Sequence, residues 1–220
     1  MTGRRVSGPQ RGFPGRASTL GGLLLFLSSF LGTVLAITVP AGPASAQQEE
    51  ADVLVSQAIL SYEEKRYQDA LTALQEALQL DPENADALYY TGLVRVALGQ
   101  PEQAVEALEK ARALHPTDEA IQFQLGVVYF SLSKYDQAQP LLQAVFTTNP
   151  KLDGLGYYVG FMRYRNKDYQ GALRAFRAGA STDPNIQQLT LFYSGLALGI
   201  LGLPERAAGE IAEALRLAPA

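Results

Sequence analysis

The sequence predicts an all-α protein, a solenoid of five stacked helix–turn–helix units that follows an N-terminal signal segment. Prolines recur every 34 or 35 residues, at Pro82, Pro116, Pro150, Pro184 and Pro219. Alanines keep the same spacing, at Ala70, Ala104, Ala138, Ala172 and Ala207. Self-similarity with a period of this size is typical of stacked helical repeats, which bind other molecules along an extended surface.

The N-terminal segment, 1–46, has the three parts of an export signal. Residues 1–16 carry four arginines and no acid, an uncharged run covers 20–39, and small residues lead up to Ala46. This pattern predicts a signal peptide with cleavage between Ala46 and Gln47. The apolar run of about 20 residues is also long enough to span a bilayer, so an uncleaved membrane anchor stays open as an alternative.

Both interpretations of this segment predict an exported protein. Basic residues before the apolar run keep the N-terminus in the cytoplasm and place the repeats on the extracytoplasmic side. The shape of the signal favours a bacterial protein, either periplasmic or anchored to the membrane through this segment alone.

The rest of the chain divides into a short acidic lead-in, 47–50, and the repeat array, 51–220. Gln187 is a one-residue insertion between the last two units. The five units are 51–84, 85–118, 119–152, 153–186 and 188–220.

Each unit contains two helices and a turn. In the first unit, the pattern predicts one amphipathic helix over about 52–64 and a second over about 68–80, separated by a turn at 65–67. The second helix ends before Pro82, because proline cannot continue a helix and restricts the residue before it.

Small residues alternate with large ones at fixed places in every unit. The eighth residues are small: Ala58, Gly92, Gly126, Gly160 and Gly195. The twenty-fourth residues are large and apolar: Leu74, Leu108, Leu142, Phe176 and Ile211. We expect the two series to face each other, so that the helices of a unit approach closely.

Unit four carries additional glycines, each costing roughly 0.5–1 kcal/mol in a helix, and we expect it to be the soft point of the array.

The composition argues against catalysis. With no cysteine and one histidine, the chain lacks a disulfide framework, a thiol nucleophile and the usual ligands of a metal cluster. His115 lies beside Pro116 in a turn between units. There is no phosphate-binding glycine motif, no nucleophile elbow and no basic footprint for nucleic acid. We therefore predict no enzyme activity, no cofactor, no metal and no nucleic-acid partner.

The charge is distributed unevenly along the array. Residues 51–84 hold seven acids and two bases, whereas residues 153–186 hold five bases and three acids. Arg163, Arg165 and Lys167 are candidates for contact with an acidic partner, and solvated surface charge is the alternative interpretation.

The repeats resemble the tetratricopeptide repeat (TPR) family over all of 51–220. The small eighth residue, the alanine series that begins at Ala70, and the closing Asp-Pro or Asn-Pro of several units all match the family pattern. The resemblance implies a right-handed superhelix, with the first helix of each unit lining the concave side through its fifth, ninth and twelfth residues.

The residues that the resemblance places in this concave groove are apolar or aromatic: Val55, Ile59, Tyr62, Tyr89, Leu93, Phe123, Val127, Phe130, Tyr157, Phe161, Tyr164, Phe192 and Leu196. Their spacing of three and four puts them on one stripe of each helix. We interpret the stripe as a binding groove for a protein or peptide; tight packing that leaves little open groove is the alternative. The lysine and asparagine with which some family members hold a C-terminal carboxylate are missing.

These observations predict an exported, non-catalytic protein–protein interaction scaffold in a cell-envelope assembly or secretion complex. One alternative is a membrane-anchored adaptor that self-associates or docks through its last helix, where Ala208, Ala212 and Leu215 face outwards. Another is a small-ligand carrier or the accessory subunit of an enzyme.

Overall fold

The computed structural model describes residues 43–217, and side chains from residue 45 onwards. Over this range the chain forms ten α-helices and no strand. The predicted signal segment lies outside the described residues up to position 42. The helices are α1 Pro43–Glu63, α2 Tyr67–Leu80, α3 Ala85–Ala97, α4 Pro101–Leu114, α5 Glu119–Ser131, α6 Tyr135–Thr148, α7 Leu155–Arg165, α8 Tyr169–Ala178, α9 Pro184–Ile200 and α10 Pro204–Leu217.

The helices pack as five consecutive pairs. Within each unit the first helix lies against the second, and the second helix contacts the first helix of the next unit. The first helices also contact one another in order, from α1 to α3, α5, α7 and α9. This continuous layer of first helices is the arrangement of a TPR solenoid, and the predicted fold class is confirmed.

The turn inside each unit has one conformation in all five copies. Its fifteenth residue adopts a positive φ between 59° and 75°, at Lys65, Gly99, Ser133, Lys167 and Gly202. Glycine adopts this left-handed conformation without steric cost, whereas the two lysines and the serine accept some strain. The chain can therefore reverse over three residues and bring the two helices of a unit side by side.

Side-chain caps start the first helix of several units. The Asn84 side chain accepts a hydrogen bond from the Ala87 backbone N–H at 2.9 Å, and the Asp118 carboxylate accepts one from the N–H of Ile121 at 3.0 Å. Asp183 caps α9 in the same way. These caps satisfy backbone donors that have no partner inside the helix, which explains the Asp and Asn residues near the unit boundaries.

Helix α1 begins earlier than the sequence pattern predicts. Residues 47–50, the predicted lead-in, belong to α1, which starts at Pro43. Residues 46–50 are exposed, so the extension reflects the high helix propensity of Ala, Gln and Glu and the tolerance of proline in the first turn, rather than packing. The proposed cleavage site between Ala46 and Gln47 lies near the beginning of this helix. None of the described helices is long and apolar enough to cross a membrane.

The predicted fit of small against large residues is confirmed. A Cβ atom added to Gly126 would lie 2.6 Å from Cγ of Leu142, and one added to Gly92 would lie 2.5 Å from Cγ of Leu108. The same relation holds in units four and five for Gly160 with Phe176 and for Gly195 with Ile211. The eighth residue must therefore be small because the twenty-fourth side chain occupies the space beside it.

Unit four departs from the other units because a glycine in its first helix lies very close to the backbone of its second helix. A Cβ atom on Gly156 would lie 2.5 Å from the carbonyl oxygen of Ala175 and 2.6 Å from that of Gly179. Helices α7 and α8 are also shorter than their counterparts, and α7 starts after Gly154, with φ 75°. Two glycines that propensity alone marks as weak points thus permit a close helix–helix contact. The local softness of unit four stays a prediction for amide exchange.

Candidate partner-binding groove

The thirteen predicted groove residues all lie on the first helices of the five units, α1, α3, α5, α7 and α9. Val55, Tyr89 and Tyr157 are buried, each with 5% of its surface exposed. Phe192 is 42% exposed, and the other nine are half-buried. Because the first helices contact one another in order, the ten accessible side chains form a partly open apolar layer along the array.

Aromatic side chains concentrate in the part of this layer formed by units three to five. We call the group Phe130, Tyr135, Tyr157, Tyr158, Phe161, Tyr164 and Tyr193 the aromatic cluster. Ring centroids lie 5.1 Å apart for Phe130 and Phe161 and 4.9 Å apart for Phe161 and Tyr193, both edge to face. This geometry is favourable for aromatic pairs. The cluster therefore links three successive units through continuous ring contacts.

The half formed by units one and two has fewer aromatic contacts. Tyr62 contacts Tyr67 at 5.7 Å and Tyr90 at 6.5 Å. Leu93 and Val127 lie between this group and the aromatic cluster in sequence, and both are half-buried. The layer is thus apolar throughout, as the sequence predicts, but its aromatic character is strongest towards the C-terminal units.

Sequence reasoning missed Tyr135, which comes from a second helix. Tyr135 is the seventeenth residue of its unit, and its ring lies 5.3 Å from that of Phe130, the twelfth. The same pairing occurs between Tyr164 and Tyr169 at 5.5 Å. Units two and five have proline at the seventeenth place and no aromatic residue at the twelfth. Comparing these two places across the five units would have revealed the contact.

Tyr193 was also missed, although it is next to the predicted Phe192. It is the sixth residue of its unit, and Tyr90 and Tyr158 occupy that place in units two and four. Its ring contacts those of Phe161 and Tyr164 in the preceding unit, at 4.9 and 5.5 Å. The sixth place therefore contributes to the contact between neighbouring units.

Two of the three predicted groove cations are available to a partner. The Arg165 guanidinium lies 3.8 Å from the ring centroid of Tyr135, and Lys167 is exposed in its turn. Arg163 instead donates hydrogen bonds to the Gly171 carbonyl and the Gln143 side chain, both at 3.2 Å. Arg163 therefore ties α7 to its neighbours and is a structural residue.

A polar cleft of about 230 Å³ adjoins the aromatic cluster. Its lining contains the cations Lys134 and Arg165 and the carboxylate of Asp136. The remaining lining residues are Ser133, Tyr135 and Gln137. Since Tyr135 belongs both to the cleft and to the cluster, the two surfaces are continuous.

Three tyrosines of the cluster, Tyr157, Tyr158 and Tyr193, have raised pKa values and are uncharged at neutral pH. Burial raises the pKa of Tyr157 well above the ordinary value for tyrosine, and the neighbouring Tyr193 and Tyr158 add to the effect. Burial also raises the pKa of Tyr158 and of Tyr193. These three tyrosines thus present ring surface and hydroxyl groups, and the charge beside them comes from Lys134, Asp136 and Arg165 of the cleft.

Tyr129 connects two units, and its hydroxyl group makes the stability of the protein sensitive to alkaline pH. Its hydroxyl donates a hydrogen bond to Oε1 of Glu109 at 2.6 Å. Burial, followed by this bond to a carboxylate, raises the pKa of Tyr129 from 10.0 to about 12. The associated stability is present below pH 10.0 and is lost as the pH rises through about 12, because the unfolded tyrosine releases its proton first.

We therefore expect the free energy of unfolding to fall as the pH rises above 10.0, and to fall less steeply in Tyr129→Phe than in the wild type. Urea denaturation at a series of alkaline pH values measures this pH dependence for both proteins. Equal slopes in the wild type and the variant would contradict the assignment.

The described residues show no candidate metal centre. Between residues 43 and 217, no three His, Cys, Asp or Glu side chains lie close enough together to hold a metal ion. His115 is exposed at the end of α4, in the predicted turn.

The sequence profile of the cytochrome c-type biogenesis protein H TPR domain matches residues 47–185. The crystal structure of MamA has a TM-score of 0.63 and 22% identity, covering 77% of this chain and 92% of that one. YrrB, described as a TPR protein with an unusual peptide-binding site, has a TM-score of 0.65 and 23% identity, covering 80% of this chain and 90% of that one. No curated protein matches the chain.

The likeness to the two solved structures shows a shared fold. With the profile match, it confirms the TPR resemblance: the chain belongs to the cytochrome c-type biogenesis protein H TPR domain family, a family of TPR scaffolds for protein–protein interaction.

Proposed function

We propose that this TPR scaffold is exported, is not catalytic, and holds a segment of a partner protein in its concave groove during assembly of a cell-envelope complex. The observation that carries the proposal is the layer of ten accessible apolar side chains along consecutive first helices. Contiguous apolar surface on a soluble protein often marks a binding site.

Three further points support parts of the proposal. The basic and apolar pattern of residues 1–46 supports export. The family name links this type of domain to the biogenesis of c-type cytochromes, which favours an assembly process over secretion. The peptide-binding site named for YrrB supports a peptide segment as the ligand of the fold.

The expected affinity is moderate. A partner that covers about 400 Å² of apolar groove surface gains roughly 10 kcal/mol. The loss of freedom on association costs roughly 4–15 kcal/mol, so apolar burial alone leaves at most about 6 kcal/mol, which corresponds to a Kd of roughly 40 μM. This strength suits a scaffold that takes up and releases its partner.

Affinity capture from the native cell envelope tests the proposal. We would compare the tagged wild type with Phe123→Ser/Phe161→Ser, which changes two half-buried groove positions. The matched control is Leu203→Ser/Leu215→Ser, which changes two exposed apolar residues in and before α10. Loss of partners in the groove variant alone, with helicity retained by circular dichroism, is the expected result. Partners retained by a folded groove variant would overturn the proposal.

The same control variant tests docking through the last helix. Leu215 is 69% exposed and Leu203 is 40% exposed, which favours this surface as a second candidate. Partners or self-association lost only in Leu203→Ser/Leu215→Ser would support the adaptor interpretation.

N-terminal sequencing of the exported protein separates the cleaved form, which starts at Gln47, from the anchored form. A small molecule that copurifies stoichiometrically would instead favour the carrier interpretation.

A further inference from the structure

Charge separates the first two units from the next two, which we call the first half and the second half of the array; the fifth unit, 188–220, holds three acids and two bases. Residues 51–118, the first two units, hold twelve acids and five bases. Residues 119–186, the next two, hold seven bases and five acids. An acidic ligand is therefore repelled by the first half and attracted by the second.

Several cations in the second half lie next to the aromatic cluster. The Arg165 guanidinium stacks on Tyr135 at 3.8 Å, and the Tyr135 ring in turn lies 5.9 Å from that of Phe161. Lys134 lines the same cleft as Arg165, and both side chains are exposed. Positive charge and accessible apolar surface thus meet at one place in the groove.

These cations have no acidic partner among the described residues. The ion pairs found between residues 45 and 217 lie in units one, two and five, where they join Arg66 to Glu64 and Asp69, Arg112 to Glu109, and Arg216 to Glu213.

The acids near the cleft leave the cations available. Asp136 lines the cleft without pairing within 4.0 Å to a described base, and Asp168 accepts a hydrogen bond from the Gly171 N–H at 2.8 Å. Lys134, Arg165 and Lys167 are therefore available to carboxylates from outside.

We infer that the second half of the groove takes an acidic segment of a partner protein. The apolar side chains of that segment lie on Phe161 and Tyr164 and on the adjoining Tyr193 of unit five, and its Asp or Glu side chains pair with Lys134 and Arg165. The inference rests on the proposed function and specifies the chemistry of the partner and its position along the array. Arg165 is positioned for this role because its contact with Tyr135 orients the guanidinium beside the cleft.

Two labelled peptides of equal length test the inference. Both carry the same Phe and Leu residues at helical spacing and an amidated C-terminus, so that no terminal carboxylate contributes. One has Glu at the remaining positions and the other has Lys. Fluorescence anisotropy with the full chain is expected to show roughly tenfold tighter binding of the Glu peptide at low salt. The preference should shrink as the salt concentration rises to about 0.5 M.

Matched variants locate the contact. Lys134→Gln/Arg165→Gln should weaken binding of the Glu peptide roughly fivefold to tenfold, whereas Arg165→Lys keeps the charge but loses the stacked guanidinium and should weaken it by an intermediate amount. Lys110→Gln/Arg206→Gln removes the same net charge from exposed sites on second helices and should change the affinity less than twofold.

The outcomes separate this inference from the proposed function. Equal binding of both peptides, weakened in both cases by Phe161→Ser, overturns the acidic preference and leaves the groove as a binding site. If Lys110→Gln/Arg206→Gln loses as much affinity as Lys134→Gln/Arg165→Gln, the acidic segment does not lie beside Lys134 and Arg165, and its assigned position is overturned. Absence of binding by either peptide also contradicts the inference, while the proposed function is decided by the envelope capture.

Discussion

Replacing Leu142 with alanine is expected to lower the free energy of unfolding by about 3–4 kcal/mol. Leu142 has no exposed surface and fills the space beside Gly126, which has no side chain of its own. Truncation leaves a cavity between α5 and α6 that two packed helices cannot close. Urea denaturation followed by circular dichroism measures the loss, and a loss below about 1 kcal/mol would contradict this packing.

A double-mutant cycle tests the contact between these two places directly. Gly126→Ala alone should cost about 1 kcal/mol, because its Cβ would lie 2.6 Å from Cγ of Leu142. Unit one accommodates Ala58 in the equivalent place, which keeps this cost moderate. Combined with Leu142→Ala, the added methyl group fills part of the cavity, and we expect a favourable coupling of about 1–2 kcal/mol. Additive effects would show that the two residues are not opposed.

Gly156→Ala is expected to destabilise the protein by about 3 kcal/mol. The new Cβ would meet the carbonyl oxygens of Ala175 and Gly179 at 2.5 and 2.6 Å. Those oxygens belong to the backbone and cannot rotate away, so α7 and α8 would have to separate. The contrast with Gly126, whose neighbour is a side chain, explains the larger expected cost. Denaturation together with amide exchange across 153–186 measures the total and the local effect.

Gly209→Ala is the matched control for this change. Gly209 lies inside α10, and a Cβ atom there would meet nothing within 4 Å. The substitution should stabilise the protein by roughly 0.5–1 kcal/mol through helix propensity alone. If Gly156→Ala behaved like Gly209→Ala, the close approach of α7 and α8 would be refuted.

The helices and turns follow from local patterns, which explains the agreement between prediction and structure. The second helix, predicted over about 68–80, is observed as Tyr67–Leu80, because Pro82 and the turn at 65–67 constrain the backbone at its two ends. The opposition of Gly126 to Leu142 was equally predictable. A motif repeated in phase must place its eighth and twenty-fourth residues in the same relation every time.

The structure differs from the prediction mainly where residues distant in sequence meet. Helix propensity marks Gly156 and Gly179 as weak points and cannot reveal that they allow two backbones to touch. The start of α1 at Pro43 was missed for another reason. An apolar stripe marks a helix only where the helix packs against another element, and the exposed residues 46–50 have no such stripe.

The groove, too, is only partly predictable from the sequence. The repeat spacing and the family resemblance were sufficient to assign Phe123, Phe130 and Phe161 to one face of the first helices. They could not show that Tyr135, on a second helix, and Tyr193, in the following unit, complete the aromatic cluster, nor that Arg165 stacks beside it while Arg163 points into a structural contact. The period of the chain specifies each unit through short-range sterics and hydrogen bonds. The accessible surface, by contrast, emerges only from the stacking of units, because burial and ring contacts depend on neighbours a full repeat away.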